Sequence, residues 1–366
     1  MYNPCNWVHR RKAPERRSCR RISKAIKRSS PSRGCFGFSS CDSSRFRKRA
    51  LKVVSFGGGH GLAAMLKALR QVTPEITAIV TVADNGGSSG RLREEFKSLP
   101  PGDLRMALAA LCGDDEWGRN WADLMQYRFT SEGDLNGHAL GNLLLAALWD
   151  RDGDPIQGLE RVGALLKVVG RVLPMSLQPL DIEGTFRNWQ GTQVIKGQTD
   201  VAIGKGTLEN LSLLPTGARP TPEGLDAIAQ ADWLTLGPGS WFSSVLPHLL
   251  LEEQRDAICA SSARRIIVLN LDANPSASGD EFAGYSPADH LKLIRKYAPD
   301  LRCDFAIADE SIMARGDSGK ELQSIVKDMN GNLIVANLSA APGSNHHDPG
   351  KLSSVFRNIF ATEVIR

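Results

Sequence analysis

The alternation of strand-like and helix-like segments from Leu51 onward is the feature that most limits the folds open to this chain. Leu51–Phe56 has the apolar composition of a buried strand, and the glycine-rich segment Gly57–Gly61 follows it. Leu62–Gln71 then has apolar residues at helical spacing, and Ile76–Val82 has the pattern of a second strand. This order predicts a parallel sheet with helices on both faces, which is an α/β fold.

The middle of the chain is rich in helix and then changes character. Apolar residues recur at helical spacing in Asp103–Leu111, Trp117–Phe129, Ala139–Trp149 and Pro155–Val168. At about residues 172–214 the pattern changes to short apolar runs separated by Gly, Pro, Asp and Asn. These runs are Val172–Met175, Gln193–Ile195 and Leu211–Leu214. They predict a small, partly antiparallel β insertion.

The alternation of strands and helices returns after residue 230. The predicted strands are Trp233–Leu236, Arg265–Leu269, Asp304–Ala308 and Leu333–Ala336. The predicted helices begin near Ser243, at Pro287 and at Lys351. We therefore expect residues 51–366 to form an α/β domain that carries the insertion.

Residues 1–50 differ from the rest of the chain in charge. They carry a net charge of +13, whereas the remaining 316 residues carry −8. We predict that this basic segment is disordered. Three interpretations compete: a basic arm that binds nucleic acid or acidic membrane, an organelle transit peptide, and an artefact of the assigned start site. We favour an artefact or a dispensable extension. The acidic body gives no argument for nucleic-acid binding.

Cysteine usage and hydropathy indicate the compartment. None of the seven cysteines forms a CxxC pair, and the body has only Cys112, Cys259 and Cys303. This usage favours a reduced, cytoplasmic environment and gives no zinc-finger spacing. Because no run of eighteen apolar residues occurs, we predict no membrane span.

Glycine turns at two neighbouring strand ends predict a phosphate site. Gly57–Gly61 stands where a doubly wound fold binds phosphate, although it is neither a full GxGxxG nor a Walker A loop. A second turn, Asn85–Gly90, follows Asp84, which stands about where a Rossmann fold places its ribose-binding acid. Arg91 and Arg93 either contact phosphate or pair with nearby acids on a solvated helix face.

Polar residues at three further places complete the candidate site. Asp103 is interpreted first as a helix cap and second, with Arg105, as part of the site. His138 and Asn142 share one helix face, and we weigh a structural and a binding role equally. Gly237–Ser240 repeats the pattern of a glycine turn between strand and helix.

Three further histidines are predicted to lie outside the candidate site. His248 lies within an apolar helix and is expected in the core. His346 and His347 lie in a polar loop and are expected to face solvent.

The motifs, taken in order, resemble the gluconeogenesis factor (YvcK-like) branch of the CofD-like, or UPF0052, family, and look closest to its actinobacterial members. The most specific match is Ile79–Arg93 (containing TVAD-x-GGSSGRLR) together with Pro100–Arg105 (PPGDLR). The other matching segments are Val54–Gly61, Tyr127–Phe129, Gly137–Leu145, Gly170–Met175, Leu236–Pro247, Tyr285–His290 and His347–Pro349. The resemblance covers about Leu51 to Phe360.

This resemblance implies a three-layer α/β/α Rossmann-like core. It implies two alternative functions. The first is a cytosolic regulator that binds a nucleotide sugar such as UDP-N-acetylglucosamine and is linked to gluconeogenic growth, cell shape and peptidoglycan precursor supply. The second is a metal-dependent transferase that moves a phospholactyl group from a nucleoside-diphosphate donor. A dinucleotide ligand, as in an NAD-dependent dehydrogenase, has the weakest support.

One departure from the family pattern bears on the choice. The family has two aspartates where this chain has Asp84 and Asn85, and the lost carboxylate counts against a Mg²⁺-assisted transfer. We expect no firm cofactor, consider Mg²⁺ at Asp84, and take Asp84 and Asn85 as catalytic candidates only for a transferase. A homodimer is a family-level expectation. The candidate phosphate- and ligand-binding residues are Gly57, Gly58, Gly59, His60, Gly61, Asp84, Asn85, Gly86, Gly87, Ser88, Ser89, Gly90, Arg91, Arg93, Asp103, Arg105, His138, Asn142, Gly237, Pro238, Gly239 and Ser240.

Overall fold

The structure, a computed structural model, describes residues 49–363 apart from residues 190, 198–199, 202–203, 205, 272–285 and 316. The disorder predicted for the basic segment falls on residues 1–48, which lie outside the described residues. Tyr285 of the matching segment Tyr285–His290 lies outside them as well.

Seven parallel strands form the main sheet, and its strand order brings β1 and β7 together. The strands are β1 Val53–Gly57, β2 Ile76–Val80, β3 Arg171–Pro174, β7 Trp233–Leu236, β8 Arg264–Val268, β9 Phe305–Asp309 and β10 Asn332–Ala336. Their order is β10-β9-β8-β7-β1-β2-β3. Val53 therefore lies between Ile76 of β2 and Trp233 of β7.

Twelve α-helices surround the two sheets in the described part of the chain. They are α1 Gly59–Leu69, α2 Gly87–Phe96, α3 Gly102–Ala110, α4 Glu116–Gln126, α5 Leu140–Asp152, α6 Pro155–Leu166, α7 Pro222–Gln230, α8 Pro247–Leu250, α9 Glu252–Ala260, α10 Pro287–Tyr297, α11 Asp317–Asp328 and α12 Pro349–Glu363. A π-helix spans Trp241–Val245 and a 3-10 helix spans Glu310–Arg315. The α/β class expected from the sequence is confirmed.

The second sheet is small and antiparallel, and it begins later than the sequence pattern predicts. It consists of β4 Asp181–Asn188, β5 Gly191–Lys196 and β6 Thr207–Leu214 in the order β5-β4-β6. The sequence pattern groups Val172–Met175 with it, but that run pairs in parallel with β2 as the last strand of the main sheet. The grouping failed because a four-residue strand shows too few residues to separate parallel from antiparallel pairing.

Helix starts also differ from the sequence expectation at both glycine turns. Helix α1 begins at Gly59 and α2 at Gly87, so part of each predicted turn is the first turn of a helix. Gly59 and Gly87 both have positive φ, at 58° and 47°, which glycine adopts without steric cost. The first amides of both helices, which have no partner within their own helix, are thereby brought to the ends of β1 and β2.

The topology places a crevice at the carboxyl ends of β1 and β7. The chain leaves β1 toward β2 and β3, then returns to β7 on the other side of β1. The connections after these two neighbouring strands therefore diverge, and open α/β sheets bind ligands at such a point. All five residues of β1 and all four of β7 are buried, so the crevice stands on a rigid base. In the described part of the chain, no helix has the length and hydropathy to cross a membrane.

Candidate functional site

Two glycine turns touch at the carboxyl ends of β1 and β7. A Cβ on Gly61 would lie 2.5 Å from the Cα of Gly239 and would overlap the carbonyl oxygen of Pro238. A Cβ on Gly58 would lie 2.5 Å from Cγ2 of Thr81 and would overlap Asp103. Glycine is needed at both positions because another backbone or a buried side chain occupies the space of a side chain.

The turn after β7 is held in place by Asn270, which lies two residues past the end of β8. Asn270 Oδ1 accepts from the Gly239 amide at 2.9 Å, and its Nδ2 donates to the Gly239 carbonyl at 2.8 Å. Gly239 has a φ of 143°, which side-chain-bearing residues rarely adopt. Ser240 Oγ accepts from the Ser243 amide at 3.1 Å and so caps the π-helix.

The turn after β1 is supported from below by a buried histidine. Nε2 of His248 lies 3.3 Å from the Gly57 carbonyl, and Gln254 Nε2 donates to His248 Nδ1 at 3.0 Å. This pair of contacts fixes the tautomer with the proton on Nε2. Burial lowers the pKa of His248 to about 4, so the ring is neutral and donates to Gly57 at neutral pH. The core position expected for His248 is confirmed.

Two carboxylates, Asp84 and Asp103, lie at the centre of the crevice. A Cβ on Gly102 would lie 2.9 Å from Asp84 Oδ2, and Asp103 is the next residue. The Gly59 amide donates to the Asp103 carboxyl group. Oδ2 of Asp103 is nevertheless buried without a hydrogen-bond partner among the described residues. Burial and the charge of Asp84 raise the pKa of Asp103 to about 7. Asp103 is not the N-cap of α3, which is Pro101, so the predicted capping role is wrong.

Arg105 connects the carboxylates to a buried chain of polar side chains. Its Nε donates to Asn142 Oδ1 at 2.8 Å, and Asn142 Nδ2 donates to Ser88 Oγ at 2.9 Å. Ser88 Oγ lies 3.0 Å from His138 Nδ1, and Arg105 also donates to Gln126. Burial and nearby Arg128 lower the pKa of Arg105 to about 10, which leaves it charged at neutral pH. The structure thus brings these predicted site residues together by bonds to one another.

Arg91 and Arg93 form hydrogen bonds and an ion pair with other groups of the protein. Arg91 donates to the carbonyls of Asp134 and Asn136, at 3.1 and 2.7 Å. Arg93 forms an ion pair with Asp181 at 2.9 Å and donates to the Leu180 carbonyl at 3.0 Å. These bonds anchor the segment before α5 and the start of β4. Arg105 is the arginine that interacts with the central carboxylates.

Asn85 packs against the antiparallel sheet. A Cβ on Gly197, the residue after β5, would lie 2.5 Å from Asn85 Nδ2. The neighbouring Asp84 Oδ1 accepts from the Gly86 amide at 2.9 Å, which fixes the entry to α2. The antiparallel sheet therefore reaches the rim of the crevice at Asn85.

His346 and His60 meet at the other rim. Their ring centroids are 6.4 Å apart, and both side chains are exposed. Partial desolvation of the ring by its neighbours, followed by the charges of His346, Arg105 and Lys67, lowers the pKa of His60. The expectation for His346 is confirmed, but that for His347 is wrong. His347 is buried, with Nε2 3.2 Å from the Leu269 carbonyl, because the polar loop folds back onto the end of β8.

Sequence reasoning missed three residues that shape the crevice. Asn270 follows a predicted strand and could have been found by the rule that selected Asp84. Thr81, whose Oγ1 donates to the Ser243 carbonyl at 3.4 Å, stood within the matching segment but was given no role. His346 gives no local signal, because its place depends on the path of the chain after β10.

The donor set in the crevice bears on metal binding. Among the described residues, no group of three or more His, Cys, Asp or Glu side chains has the arrangement of a metal site. Magnesium, however, is commonly held by one or two carboxylates with substrate phosphates and water. Asp84 and Asp103, with the unpartnered Oδ2, fit that smaller requirement.

Comparison with protein families gives a match over most of the chain. The family model described as 2-phospho-L-lactate transferase CofD matches residues 53–337. This range contains both glycine turns, the two carboxylates and Arg105.

Comparison with individual proteins gives relatives of similar length. A Mycobacterium tuberculosis (H37Rv) protein is 43% identical over 316 residues, which cover 85% of this chain and 91% of the relative. A Bacillus subtilis protein named gluconeogenesis factor is 37% identical over 254 residues, 69% of this chain and 76% of the relative. The solved structure of a UPF0052 family member from Bacillus halodurans is 32% identical, with a TM-score of 0.73, and the match covers 84% of this chain and 99% of that one.

Proposed function

The chain belongs to the CofD family, also called UPF0052, and from that membership we propose that it is a gluconeogenesis factor that binds a nucleotide sugar in the crevice between β1 and β7. UDP-N-acetylglucosamine is the ligand we propose. The bound ligand would regulate carbon metabolism, cell shape and the supply of peptidoglycan precursors.

The contact between the two glycine turns is the observation that carries the proposal. At Gly61 the backbones approach so closely that no side chain separates them, and the first amides of α1 and α2 lie at the same edge of the sheet. Such amides bind phosphate oxygens, and two helix starts supply enough donors for a diphosphate. Arg105 adds a positive charge next to the carboxylates.

Thermal unfolding tests the proposal. A ligand that binds only the folded state stabilises it by about 2.7 kcal/mol at a hundred times its Kd. UDP-N-acetylglucosamine at millimolar concentration should raise the Tm, whereas uridine mixed with N-acetylglucosamine should not, because the turns are proposed to hold the diphosphate. An unchanged Tm with the nucleotide sugar contradicts the proposal.

A transferase is the second candidate, and the carboxylate pair favours it. Asp84 and Asp103 would hold Mg²⁺, which supplies charge neutralisation for the phosphates when bound. The side chain at position 85 follows Asp84 directly and lies against Gly197 at the rim of the crevice. A transferase should release a nucleotide from a nucleoside-diphosphate-linked donor when Mg²⁺ and acceptor are present, and Asn85→Asp should raise the rate. No release with either chain leaves the binding role.

The cytoplasmic location and the homodimer expected from the sequence remain proposals. Light scattering coupled to size-exclusion chromatography should give about twice the mass of 39.8 kDa for a dimer. A single-chain mass at micromolar concentration contradicts the dimer and leaves the ligand proposal intact.

A further inference from the structure

A short hairpin at the carboxyl edge of the main sheet carries His346 to the mouth of the crevice. Ser339 and His347 form an antiparallel bridge, and the Ala340 amide donates to the His346 carbonyl at 2.9 Å. The Asp348 amide closes the hairpin with a bond of 2.8 Å to the Leu338 carbonyl. His346 therefore sits on a hydrogen-bonded segment, which we call the 338–348 hairpin.

The hairpin is anchored to the sheet at two strand ends. Asp309, the last residue of β9, accepts from the Leu338 amide at 2.7 Å. His347 contacts the Leu269 carbonyl just after β8, at 3.2 Å. These contacts fix the hairpin independently of any ligand, so the position of His346 opposite His60 is built into the fold.

The spacing of the two rings suits one shared oxygen. Two imidazoles that donate to the same oxygen at about 2.8 Å have ring centroids at most about 8 Å apart. The observed separation is 6.4 Å. An oxygen between the rings would also lie near the first turn of α1, whose N-cap is Gly58.

The charges around His60 favour an anion in that place. The pKa of His60 is lowered first by desolvation and then by positive charge on His346 of the hairpin, Arg105 of α3 and Lys67 of α1. The acidic groups on the adjacent wall are Asp103, which accepts from the Gly59 amide, and Asp84, whose charge acts on Asp103. Behind the hairpin, His347 is buried and faces Asp309.

We propose that His60 and His346 form a proton-dependent clamp on a phosphate oxygen of the nucleotide-sugar ligand. The clamp rests on the proposed nucleotide-sugar function and adds the 338–348 hairpin to the site. An anion between the rings offsets their mutual repulsion and stabilises the imidazolium form. Binding then takes up a proton, and affinity rises as the pH falls through the range near and below 6.5, the ordinary pKa of histidine.

Isothermal titration of the full chain with UDP-N-acetylglucosamine tests the clamp. The two phosphates of this probe are both diesterified and do not titrate between pH 5.5 and 7.5, so a change in affinity reports on the protein. Measurements at pH 5.5, 6.5 and 7.5, each in two buffers of different ionisation enthalpy, give both the Kd and the number of protons taken up. We expect binding about 5-fold tighter at pH 5.5 than at 7.5 and an uptake of about half a proton or more at pH 6.5.

Four variants locate the source of the proton. His60→Asn and His346→Asn remove exposed rings, and each should reduce the uptake and flatten the pH dependence. Asp103→Asn removes the neighbouring carboxyl whose pKa is raised to about 7 and should leave the histidine part of the uptake. Arg302→Gln removes an exposed charge at the opposite edge of the sheet and should behave as the unchanged protein.

The outcomes separate the clamp from the proposed function. Binding with no proton uptake, or an uptake lost in Asp103→Asn but kept in both histidine variants, overturns the clamp and leaves the nucleotide-sugar proposal standing. The absence of binding at all three pH values overturns both.

Discussion

At the scale of single residues, Asp103 illustrates how the crevice is built at the expense of stability. Its carboxyl group is buried beside Asp84 with one oxygen unpartnered among the described residues, an arrangement that disfavours the ionised form. A sequence can identify such a residue by its place near a glycine turn. It cannot show the burial, which depends on Gly58, Thr81 and Gly102 lying together in the fold.

Asp103→Asn should stabilise the protein at high pH. The native pKa of about 7 lies above the ordinary value of 3.8, so between these values the folded state holds a proton that the unfolded state has lost. The free energy of unfolding therefore falls as the pH rises from about 4 to about 7, by at most about 4 kcal/mol. Urea titrations with EDTA should show the variant to be more stable at pH 8 and equal to the parent near pH 4. An equal difference at both pH values contradicts the assignment.

Gly61→Ala should disrupt the crevice. The added methyl overlaps the Pro238 carbonyl and lies 2.5 Å from Gly239 Cα, so two backbone turns must separate. We expect a loss of about 2 kcal/mol or more in the free energy of unfolding, together with loss of the Tm shift by UDP-N-acetylglucosamine. Gly133→Ala is the matched control, because its methyl meets nothing within 4 Å. Equal stability of the two variants would show that the turns are not in contact.

At the scale of secondary-structure elements, the site is assembled from helix starts and strand ends. The strands β7 and β8 and the helix α10 were predicted within one residue, because apolar runs and the Ser286-Pro287 start are local signals. The α2 start at Gly87 was missed, because glycine and serine favour a turn unless neighbouring elements pack against them. Here Ser88 is buried by its bonds to α5 and the segment before it.

Asn142→Ala should destabilise the packing of α5 against α2 and α3. The change removes the acceptor of the buried Arg105 Nε and the donor to Ser88, at 2.8 and 2.9 Å. Leaving a buried guanidinium group with fewer partners costs about 2–4 kcal/mol. Asp150→Ala, at an exposed position of the same helix, should change stability by less than about 0.5 kcal/mol in the same urea titration. A cost below 1 kcal/mol for Asn142→Ala would mean that the polar chain is dispensable.

At the scale of the whole molecule, the sequence predicted the α/β class, and the family resemblance is confirmed by the match over residues 53–337. The pattern could not give the strand order, because which strand returns beside β1 depends on packing between segments far apart in the chain. For the same reason, the contact of the Gly61 and Gly239 backbones and the place of His346 could not be predicted from local spacing.

A chain that starts at Arg49 should keep the stability and ligand response of the full chain. The described contacts begin with Arg49, which pairs with Asp232 at 3.3 Å, and the family match begins at residue 53. We expect a Tm within about 2 °C of the full chain and the same shift with UDP-N-acetylglucosamine, since the exposed ion pair at the new end contributes little. A fall of 10 °C or loss of the shift would show that residues 1–48 contribute to the fold or the site.

The position of β1 between β2 and β7 also sets an order of events during synthesis. The ribosome makes β1, β2 and β3 first, and one edge of β1 stays open until Trp233–Leu236 has emerged. An open apolar strand edge can pair with other chains and aggregate. The nascent protein therefore depends on chaperone binding until β7 has been synthesised. A message that stops before codon 233 would yield a product with an unpaired central strand, and that product should be cleared as misfolded.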